Sequence, residues 1–595
     1  MLIRASITLA LIFAAHTCAR AQSGDGAKSA TDAQGSIKGR VTDEGGQPLA
    51  GANIFARSLR DHYVNTATDA EGEFTLENVE REPYTLNASL PGYYDPAQLA
   101  ERSGAHNYYR RGDTVSIRLV RGDVITGRVT NGAGEPLIAV PVVAVRVRDE
   151  EGHTISEPTY SDVVSRRQTD DRGVYRLYGL APGAYVVSAG GRGLYAFNPR
   201  PAPYDDDVPT YYPSTTRDGA AEVVVQAGQE VANIDIRYRG EKGHAASGEV
   251  VGGAGDGGNI NVRLLSSATQ AVIGYRFISP ELKNFAFVFD GVADGEYDLT
   301  AEKYDQGGAA SAAGGAHVAV RGADMTGIRI TLAPLASISG HVTLEAAPAD
   351  APWRSQCRTK LDTAAGETAI VARREREKTR AQAPTVGSKT SDTAPDDKGD
   401  FSLRSLAAGR FRLDVRPPGE DWYVRSAALP SPNAGATPKA GDAPQKTPAA
   451  SANPLSDGLT LAGGAQVSSL ALTLAPGAAA LRGRVVAAAG EGTPLPALRL
   501  HLVPAERERA GDPLRYAVAQ VNPDGTFALT NLAPGRYNLV LRPAPAGENA
   551  DDGLAPAFPD AKTRDSLRRE SESAKSVELQ PCRQLGDYVI QYAPQ

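Results

Sequence analysis

The stretch that decides the fold runs from Tyr175 to Ala189 and reads YRLYGLAPGAYVVSA. Large apolar residues stand at its offsets 0, 2 and 5 and again at 10 and 12, with Pro182-Gly183 between the two groups. Side chains two residues apart lie on the same face of a β-strand. Pro presets the first dihedral of a turn, and Gly accepts the positive φ that often follows. The stretch therefore predicts two strands that are joined by a bend and share one buried face.

This pattern occurs five times along the 595-residue chain. Its aromatic pair, ten residues apart, is found at Phe74/Tyr84, Tyr175/Tyr185, Phe287/Tyr297, Phe401/Phe411 and Phe527/Tyr537. Each copy is preceded by a Gly-x-Val head, whose glycines are Gly39, Gly127, Gly248, Gly340 and Gly483. An alternating apolar tail, typical of a strand, follows each copy. Short strands separated by turn signals indicate antiparallel β-sandwiches, so the repeat predicts an all-β tandem array of five such modules.

Domain boundaries follow from the heads and tails. The predicted modules span 35–120, 123–240, 244–334, 336–476 and 479–593. The third is degenerate, because it lacks the glycine of the turn before its first aromatic residue. Only eight or nine residues separate three of the tails from the next heads. We therefore expect neighbouring modules to abut in an extended array, roughly 150–200 Å long.

One segment inside the fourth module has a different composition. Residues 425–465 are rich in Pro, Ala, Gly, Ser and Thr and contain no aromatic residue. Such a composition offers little apolar surface to bury, so it predicts a disordered insertion.

The N-terminus predicts export. Arg4 precedes a short apolar run that ends in Ala-x-Ala at residues 19–21, the pattern of a secretory signal peptide over 1–21, followed by a flexible leader over 22–34. A buried N-terminal strand and a lipid anchor on Cys18 are the alternatives. We expect the exported chain in the periplasm, at the cell surface or outside the cell. No later apolar run is long enough to cross a membrane.

The net charge of the chain limits which classes of partner it can bind, and its cysteines allow one cross-link. The formal net charge of −7 becomes −9 once a 1–21 peptide carrying Arg4 and Arg20 is removed. A mildly acidic chain has no general attraction for nucleic acid. Cys357 and Cys582 remain in the exported chain. In an oxidising compartment they pair and join the fourth module to the fifth, or they are two unrelated buried thiols.

The repeat resembles the carboxypeptidase regulatory-like domain, a transthyretin-like sandwich found beside zinc carboxypeptidase catalytic domains. The resemblance lies in the head Gly39-Arg40-Val41, the step Gly72-Glu73-Phe74-Thr75-Leu76 and the hairpin Pro182-Gly183-Ala184-Tyr185. It implies seven- or eight-stranded modules, related in fold to immunoglobulin-like and starch-binding-like carbohydrate modules. It also implies a bacterial envelope protein. The motif itself specifies a fold rather than a function, because core and turn account for all of its positions.

Catalytic motifs are missing from the sequence. A peptidase zinc site needs two His and a carboxylate, usually at short spacing, and none of the eight histidines has Glu three residues later. There is no Gly-x-Ser-x-Gly elbow, phosphate-binding loop or Cys/His nucleophile pair. The sequence therefore predicts a protein that is not an enzyme and has neither metal nor cofactor. A cryptic hydrolase is the least favoured alternative.

The best candidate for a ligand site is a Tyr- and Asp-rich segment of the second module, comprising Tyr204, Asp205, Asp206, Tyr211 and Tyr212. Tyrosine rings can stack on the C–H faces of a sugar while carboxylates accept its hydroxyl protons. Clustered carboxylates also suit Ca²⁺. The structural alternative is that the tyrosines pack under the rim of the sandwich.

Two hypotheses for function follow. The first is a binding or structural array that presents loops to a polysaccharide or an envelope protein. The second is a carbohydrate-binding accessory protein that uses tyrosine-rich loops. A further tyrosine cluster in the first module, around Tyr93-Tyr94 and Tyr108-Tyr109-Arg110-Arg111, has the same alternatives.

Overall fold

A computed structural model describes most of the chain beyond the predicted leader. The described residues are 35–100, 107–155, 163–191, 203–204, 207–252, 258–268, 270, 272–279, 285–305, 308–357, 363–375, 387–388, 390–429, 453–488, 495–544 and 558–592. The predicted signal peptide 1–21 and leader 22–34 lie outside them, and their assignment stays a prediction.

The first predicted module contains two three-stranded sheets. Its elements are β1 (Gly35–Thr42), β2 (Asn53–Ser58), β3 (Tyr63–Ala67), β4 (Glu73–Val79), β5 (Tyr84–Ser89), β6 (Tyr93–Tyr94), α1 (Pro96–Ala100), β7 (Thr114–Arg118) and β8 (Val120–Arg121). One sheet has the order β4-β1-β7 and the other β3-β2-β5, while β6 pairs with β8.

The second predicted module repeats this plan with a longer second sheet. Its strands are β9 (Asp123–Thr130), β10 (Pro141–Arg148), β11 (Val163–Gln168), β12 (Val174–Leu180), β13 (Gly183–Ala189), β14 (Thr210–Tyr211), β15 (Val223–Val225), β16 (Glu230–Val231) and β17 (Ile236–Arg237). The first sheet is β12-β9-β16 with β17 also beside β9. The second is β11-β10-β13-β14 with β15 beside β13.

The third predicted module, although degenerate in sequence, has the same two sheets. Its strands are β18 (His244–Val251), β19 (Ile260–Ser266), β20 (Val272–Ile278), β21 (Ala286–Val292), β22 (Gly295–Tyr304), β23 (Ala310–Val320), β24 (Met325–Thr331) and β25 (Ala333–Pro334). The sheets are β21-β18-β24 and β20-β19-β22-β23-β25.

The fourth predicted module has two four-stranded sheets. Its elements are β26 (Ala336–Leu344), β27 (Ala369–Arg374), β28 (Thr390–Thr393), β29 (Asp400–Leu406), β30 (Gly409–Arg416), β31 (Trp422–Ala428), α2 (Pro454–Asp457), β32 (Leu459–Leu461) and β33 (Gln466–Pro476). The sheets are β29-β26-β33-β31 and β28-β27-β30-β32.

The fifth predicted module carries a ten-residue helix on its second sheet. Its elements are β34 (Ala479–Ala487), β35 (Leu498–Pro504), β36 (Ala517–Gln520), β37 (Thr526–Leu532), β38 (Gly535–Pro543), α3 (Ala561–Glu570), β39 (Ser576–Leu579) and β40 (Gln584–Tyr592). The sheets are β37-β34-β40 and β36-β35-β38-β39. Short 3-10 turns elsewhere in the chain include Arg217–Gly219, Pro352–Gln356, Ala365–Glu367, Arg507–Arg509, Pro513–Arg515 and Ser571–Ser573.

Both aromatic residues of the repeated motif are buried in every copy. They lie on strands and are at most 6% exposed. The large hydrophobic clusters that contain them are separate, and each lies between the two sheets of one predicted module, with Leu514 of the fifth module also joining the cluster of the fourth. The predicted all-β sandwich fold is therefore confirmed. The boundaries at which the chain divides into independent folding units stay a prediction.

The head position is occupied by glycine for the same steric reason in all five copies. It pairs with the first aromatic residue of the motif on the neighbouring strand, as in Gly39 with Phe74 and Gly483 with Phe527. A Cβ atom at any of these glycines would clash with a backbone carbonyl oxygen of the tail strand. The glycine therefore lets three backbones and a ring approach each other closely.

A β-bulge that the sequence pattern did not predict lies four residues after the first aromatic residue. The residue there has a left-handed φ between 56° and 79° in all five copies, namely Asn78, Gly179, Gly291, Ser405 and Asn531. The register of the head strand shifts at the same place. Asn and Gly adopt this conformation most readily, so position plus four is a backbone position rather than a ligand position.

Each sandwich contains a parallel pairing of its head strand with its tail, which in the second module is divided into β16 and β17. The head strand pairs antiparallel with the first motif strand but parallel with the tail strand, as β1 does with β7 and β34 with β40. The chain visits the opposite sheet between head and tail and returns in the direction in which it started. A parallel pair requires such a crossover connection.

The predicted disordered insertion at 425–465 is wrong at both ends. Strand β31 continues to Ala428, and Ala427, Leu455 and Leu461 belong to the fourth core. The side chain of Asn453 accepts a hydrogen bond of 3.0 Å from the backbone N–H of Leu455 and caps α2. Average composition concealed these three apolar side chains. Residues 430–452 lie outside the described part of the chain.

The extended array predicted from the short linkers is also wrong. Neighbouring modules abut as expected, for example where the Ser405 hydroxyl donates to the Ala310 carbonyl at 2.8 Å. The first module, however, also contacts the fourth. Arg110 donates to the carbonyl oxygens of Glu367 at 2.9 Å and Pro417 at 2.8 Å. The chain therefore doubles back, because polar groups of two distant modules complement each other.

Cys357 and Cys582 form a disulfide, with their Cα atoms 4.8 Å apart. The bond joins a turn of the fourth module to the loop before β40 of the fifth. Nearby, the Asn531 amide donates to the carbonyl oxygens of Gly419 at 2.7 Å and Trp422 at 2.8 Å. The pairing alternative left open by the sequence is the one observed.

Candidate ligand-binding surfaces

The tyrosines of the predicted ligand site lie along the edge of the second module. Tyr204 and Tyr212 are half-buried and pack against its hydrophobic core. The Tyr204 ring meets the Tyr238 ring edge-on at 5.6 Å, and its hydroxyl donates to the Ile138 carbonyl at 3.3 Å. These two residues therefore act in packing, which is the structural alternative.

Tyr211 differs from its two neighbours. It pairs with Ser188 in the second sheet, and the Arg217 guanidinium lies 5.8 Å from the centre of its ring. Asp205 and Asp206 lie outside the described residues. A sugar or calcium site made of Tyr204, Asp205, Asp206, Tyr211 and Tyr212 remains a prediction.

Asp207, which follows this segment, has a structural role. It is buried, accepts a hydrogen bond of 2.8 Å from the Tyr238 hydroxyl and forms an ion pair with Lys242. Burial, together with the Asp207 carboxylate, raises the pKa of Tyr238. The carboxylate therefore ties the end of the second module to the segment that enters the third.

Within the tyrosine and arginine cluster of the first module, Tyr108 and Arg110 lie in the contact with the fourth, whereas the Tyr93-Tyr94 strand lies beside the second. The Tyr108 hydroxyl donates to the Asp392 carboxylate at 3.1 Å. Burial raises the pKa of this hydroxyl and lowers the pKa of Arg110. Both groups are committed to an intramolecular interface, so Tyr108 and Arg110 do not form a free ligand platform.

A second ionic group supports the same interface. Arg60 bonds Glu82 at 3.1 Å and approaches Asp397 of the fourth module at 3.6 Å, while Arg81 lies 3.6 Å from Glu367. Burial raises the pKa of the Glu82 carboxyl. A buried carboxylate is costly unless it is paired, so Glu82 anchors Arg60 where the modules meet.

Three groups of described residues have the geometry for a metal ion: Cys357/Asp421/Cys582, His62/Glu80/Glu82 and Asp149/Glu151/His153. The first is occupied by the disulfide. In the second, His62 hydrogen-bonds the Tyr84 hydroxyl at 2.7 Å. In the third, His153 bonds Asp149 at 3.1 Å within a turn. Each group thus has protein partners that explain it.

The outer faces of the second sheets differ between modules. In the fifth module, α3 covers this face, because Leu567 packs with Val503 and Val540. In the third module the corresponding face carries Asn261 on β19 and Phe277 on β20, which are direct cross-strand neighbours. Phe277 is 56% exposed.

A cavity of about 530 Å³ opens at this face of the third module. It is lined by Gly258, Asn259, Asn261, Phe277, Tyr304, Asp305 and Gly308. Its volume lies within the range of small-molecule pockets, roughly 300–1,000 Å³. We call this cavity the module 3 groove.

A hydrogen-bonded chain of side chains forms one side of the module 3 groove. Arg263 donates to Glu302 at 2.8 Å, and the Tyr304 hydroxyl donates to the same carboxylate at 2.8 Å. Asn261 in turn hydrogen-bonds the Tyr304 hydroxyl. Burial and the Glu302 charge raise the pKa of Tyr304 to about 12, so it is a neutral hydroxyl near neutral pH.

Sequence reasoning missed this groove for a specific reason. It ranked surface features by tyrosine and aspartate density, and the third module was treated as a degenerate copy. The available signal was the aromatic pair Tyr275 and Phe277, which lies on a strand of the motif fold but outside the motif positions.

Among the described residues, no helix has the length and hydrophobicity needed to cross a bilayer.

Residues 36–106 match the carboxypeptidase regulatory-like domain. The resemblance inferred from the head, step and hairpin is thereby confirmed for the first module. This domain is a non-catalytic domain type. No curated protein matches the chain.

Solved structures with similar segments include two bacterial pilins and one further bacterial protein. The Bacillus anthracis TIE protein is 14% identical over 50% of this chain and 50% of its own, with a TM-score of 0.14. The minor pilin GBS52 of Streptococcus agalactiae is 12% identical over 34% of this chain and 96% of its own, with a TM-score of 0.18. The major pilin subunit BcpA of Bacillus cereus is 11% identical over 50% and 99%, with a TM-score of 0.13. Scores this low carry no argument about function.

Proposed function

We propose that this chain is an exported, non-catalytic structural and binding protein that holds its β-sandwiches in a fixed arrangement and presents their outer faces to an envelope polysaccharide or protein. The observation that carries the proposal is the contact between the first and fourth modules. Tyr108 and Arg110, which are not motif residues, are half-buried there and hydrogen-bond Asp392 and Glu367.

The repeated motif supports the non-catalytic part of this proposal. Every position that recurs in five copies is explained by burial, by the head-glycine contact or by the bulge. A repeat whose recurring residues all serve the backbone and the core leaves only its variable faces for function.

The disulfide supports the extracytoplasmic part of the proposal. Disulfides persist in oxidising compartments, and Cys357–Cys582 spans 225 residues of sequence. The periplasm, the cell surface and the extracellular medium all meet this condition.

The test is co-sedimentation of the purified exported chain with isolated envelope fractions, alongside assays on ester, peptide and glycoside substrates. We expect saturable binding to an envelope fraction and no turnover. Turnover that survives repurification and is lost on denaturation would contradict the non-catalytic proposal. An Arg110→Ala/Tyr108→Phe variant, measured by small-angle X-ray scattering, tests the fixed arrangement. We expect its maximum dimension to increase, whereas an unchanged profile would oppose a locked arrangement.

The alternative function is a carbohydrate-binding accessory protein with its site at Tyr204, Asp205, Asp206, Tyr211 and Tyr212. The half-exposed Tyr211 ring is the observation that favours it. In that case Tyr211→Ala abolishes binding to polysaccharide, while Tyr63→Ala, which removes an exposed ring from the first module, leaves binding unchanged.

A further inference from the structure

We propose that the module 3 groove is a binding site for a neutral saccharide. This inference rests on the proposed binding function and names a ligand class and a place for it. The groove is distinct from the tyrosine-rich segment of the second module.

The first observation is the exposed ring. Phe277 is 56% exposed on β20, the edge strand of its sheet, which pairs only with β19. An aromatic face left open beside a cavity offers a flat apolar surface, which matches the C–H face of a pyranose ring. Phe277 supplies stacking, and it has no hydrogen-bonding group of its own.

The second observation is the amide beside the ring. Asn261 lies directly across from Phe277 on β19 and lines the same cavity. Its side chain bonds the Tyr304 hydroxyl, yet its side-chain oxygen has no hydrogen-bond partner among the described residues. This oxygen is shielded from solvent. The terminal torsion of an Asn side chain is broad, so a modest rotation turns the oxygen into the cavity, where a ligand hydroxyl can donate to it.

The third observation is charge balance. The Glu302 carboxylate is neutralised by Arg263 at 2.8 Å, and Asp305 lies 3.6 Å from Arg404 of the fourth module. Tyr304 is neutral. Among the described side chains that line the groove, the charges are therefore paired, and a ligand with many hydroxyls and no net charge complements them best.

Tyr304 is placed to fix the orientation of such a ligand. Its hydroxyl donates to Glu302 at 2.8 Å, a bond that does not depend on how the Asn261 amide is turned. Its backbone N–H donates to the Asn259 carbonyl at 2.9 Å, which binds the two rim strands together. A rigid polar wall next to a free ring is the combination that favours recognition of one sugar face over the other.

The test is isothermal titration of the whole exported chain with neutral hexasaccharides, namely maltohexaose, cellohexaose, xylohexaose, mannohexaose and chitohexaose, with an anionic oligogalacturonate as the charge control. We expect saturable heat with at least one neutral probe and none with the anionic one. Phe277→Ala and Asn261→Ala should each weaken that binding on the order of tenfold.

Phe55→Ala is the matched control, since it removes another exposed ring, 43% exposed, from an outer sheet face of the first module. Phe55→Ala should leave binding unchanged. Thermal unfolding of all three variants checks that the fold is intact, which is expected for Phe277→Ala because the ring is exposed.

Each other outcome overturns the inference. Saturable sugar binding that is insensitive to Phe277→Ala and Asn261→Ala places the site elsewhere, and loss on Tyr211→Ala would identify the second module instead. Preference for the anionic probe contradicts the charge argument. Binding to envelope fractions without binding to any neutral hexasaccharide overturns the inference while leaving the proposed function standing.

Discussion

The third and fifth modules share one framework and differ in what happens outside their second sheet. In the fifth, Val503 and Val540 face outward and α3 covers them through Leu567. In the third, Asn261 and Phe277 occupy the outer face, and a cavity remains there. The comparison teaches that the motif builds the sandwich, while residues outside the motif decide whether its outer face becomes core or surface.

Two histidines, one in each of these modules, show how the covered and the open face differ in their effect on a pKa. His501 lies on β35 under the helix, and burial, aided by Arg542 and Arg499, lowers its pKa to about 4. His317 lies on the exposed side of the third module between Asp298 at 2.8 Å and Glu296 at 3.0 Å. These carboxylates, Asp298 foremost, raise its pKa.

The largest expected difference is in the free energy of unfolding, between a substitution at the covered face of the fifth module and one at the open face of the third. Leu567→Ala should destabilise the fifth module by about 2–5 kcal/mol, because a fully buried Leu leaves a cavity. Phe277→Ala at the open face of the third module should change stability by less than about 0.5 kcal/mol. Calorimetric unfolding with hydrogen exchange at β35 and β19 measures both. Equal effects would mean that α3 does not act as a core element.

Removing the disulfide tests next how the fifth module is attached to the fourth. Replacing both cysteines, Cys357→Ser with Cys582→Ser, should lower stability at the junction of the fourth and fifth modules by about 2–4 kcal/mol, because a cross-link no longer restricts the unfolded chain. The third module, which is joined without a disulfide among the described residues, should keep its transition temperature. If the unfolding transition of the third module shifted together with that of the junction, the prediction would be wrong.

His501 should make the fifth module sensitive to acid. Its pKa in the folded chain, about 4, lies below the ordinary value of 6.5, so the unfolded chain binds a proton first as the pH falls. Stability should therefore drop between about pH 6.5 and pH 4, by on the order of 2–3 kcal/mol. Denaturant unfolding at several pH values measures this. His501→Gln should flatten the dependence in that window, and an unchanged slope would contradict the assignment.

The smallest expected effect on stability comes from His317, and its dependence on pH has the opposite sign to that of His501. A raised pKa means that the folded chain holds the proton more tightly, so the stabilisation is complete below the ordinary histidine pKa. It is lost as the pH rises through the folded pKa. Half of the His317 side chain is exposed, so solvent screens these ion pairs and keeps the effect small. NMR titration of the imidazole should give a pKa above that of a free histidine and a return toward it in Asp298→Asn. A pKa below the free value would contradict the pairing.

Sequence patterns predicted the strands best where the chemistry was local. The motif placed Phe74 and Tyr84, ten residues apart, on one buried face, and both are buried. The bulge at Asn78 was not predicted, because side-chain alternation says nothing about an added residue with positive φ. The order in the window 425–465 was missed because composition averaged over Leu455 and Leu461, two core residues.

The candidate site was less predictable than the fold. Tyr204 and Tyr212 were chosen for their aromatic rings, but packing and ligand binding both favour tyrosine, and only the neighbours of each ring distinguish them. The module 3 groove depends on β19, β20 and β22 lying side by side. Asn261 and Tyr304 are 43 residues apart in sequence, so no local pattern brings them together.

Sequence alone determined that this chain forms β-sandwiches, because alternation, the turn residues and the recurring aromatic pair act over a few residues and repeat. Tertiary structure alone decided that the first module folds back onto the fourth, that Cys357 meets Cys582, and which outer faces stay open. The physical reason is the separation in sequence between the residues that make each kind of contact. Strand pairing and burial of a motif are set by near neighbours, whereas contacts between modules depend on complementary groups hundreds of residues apart.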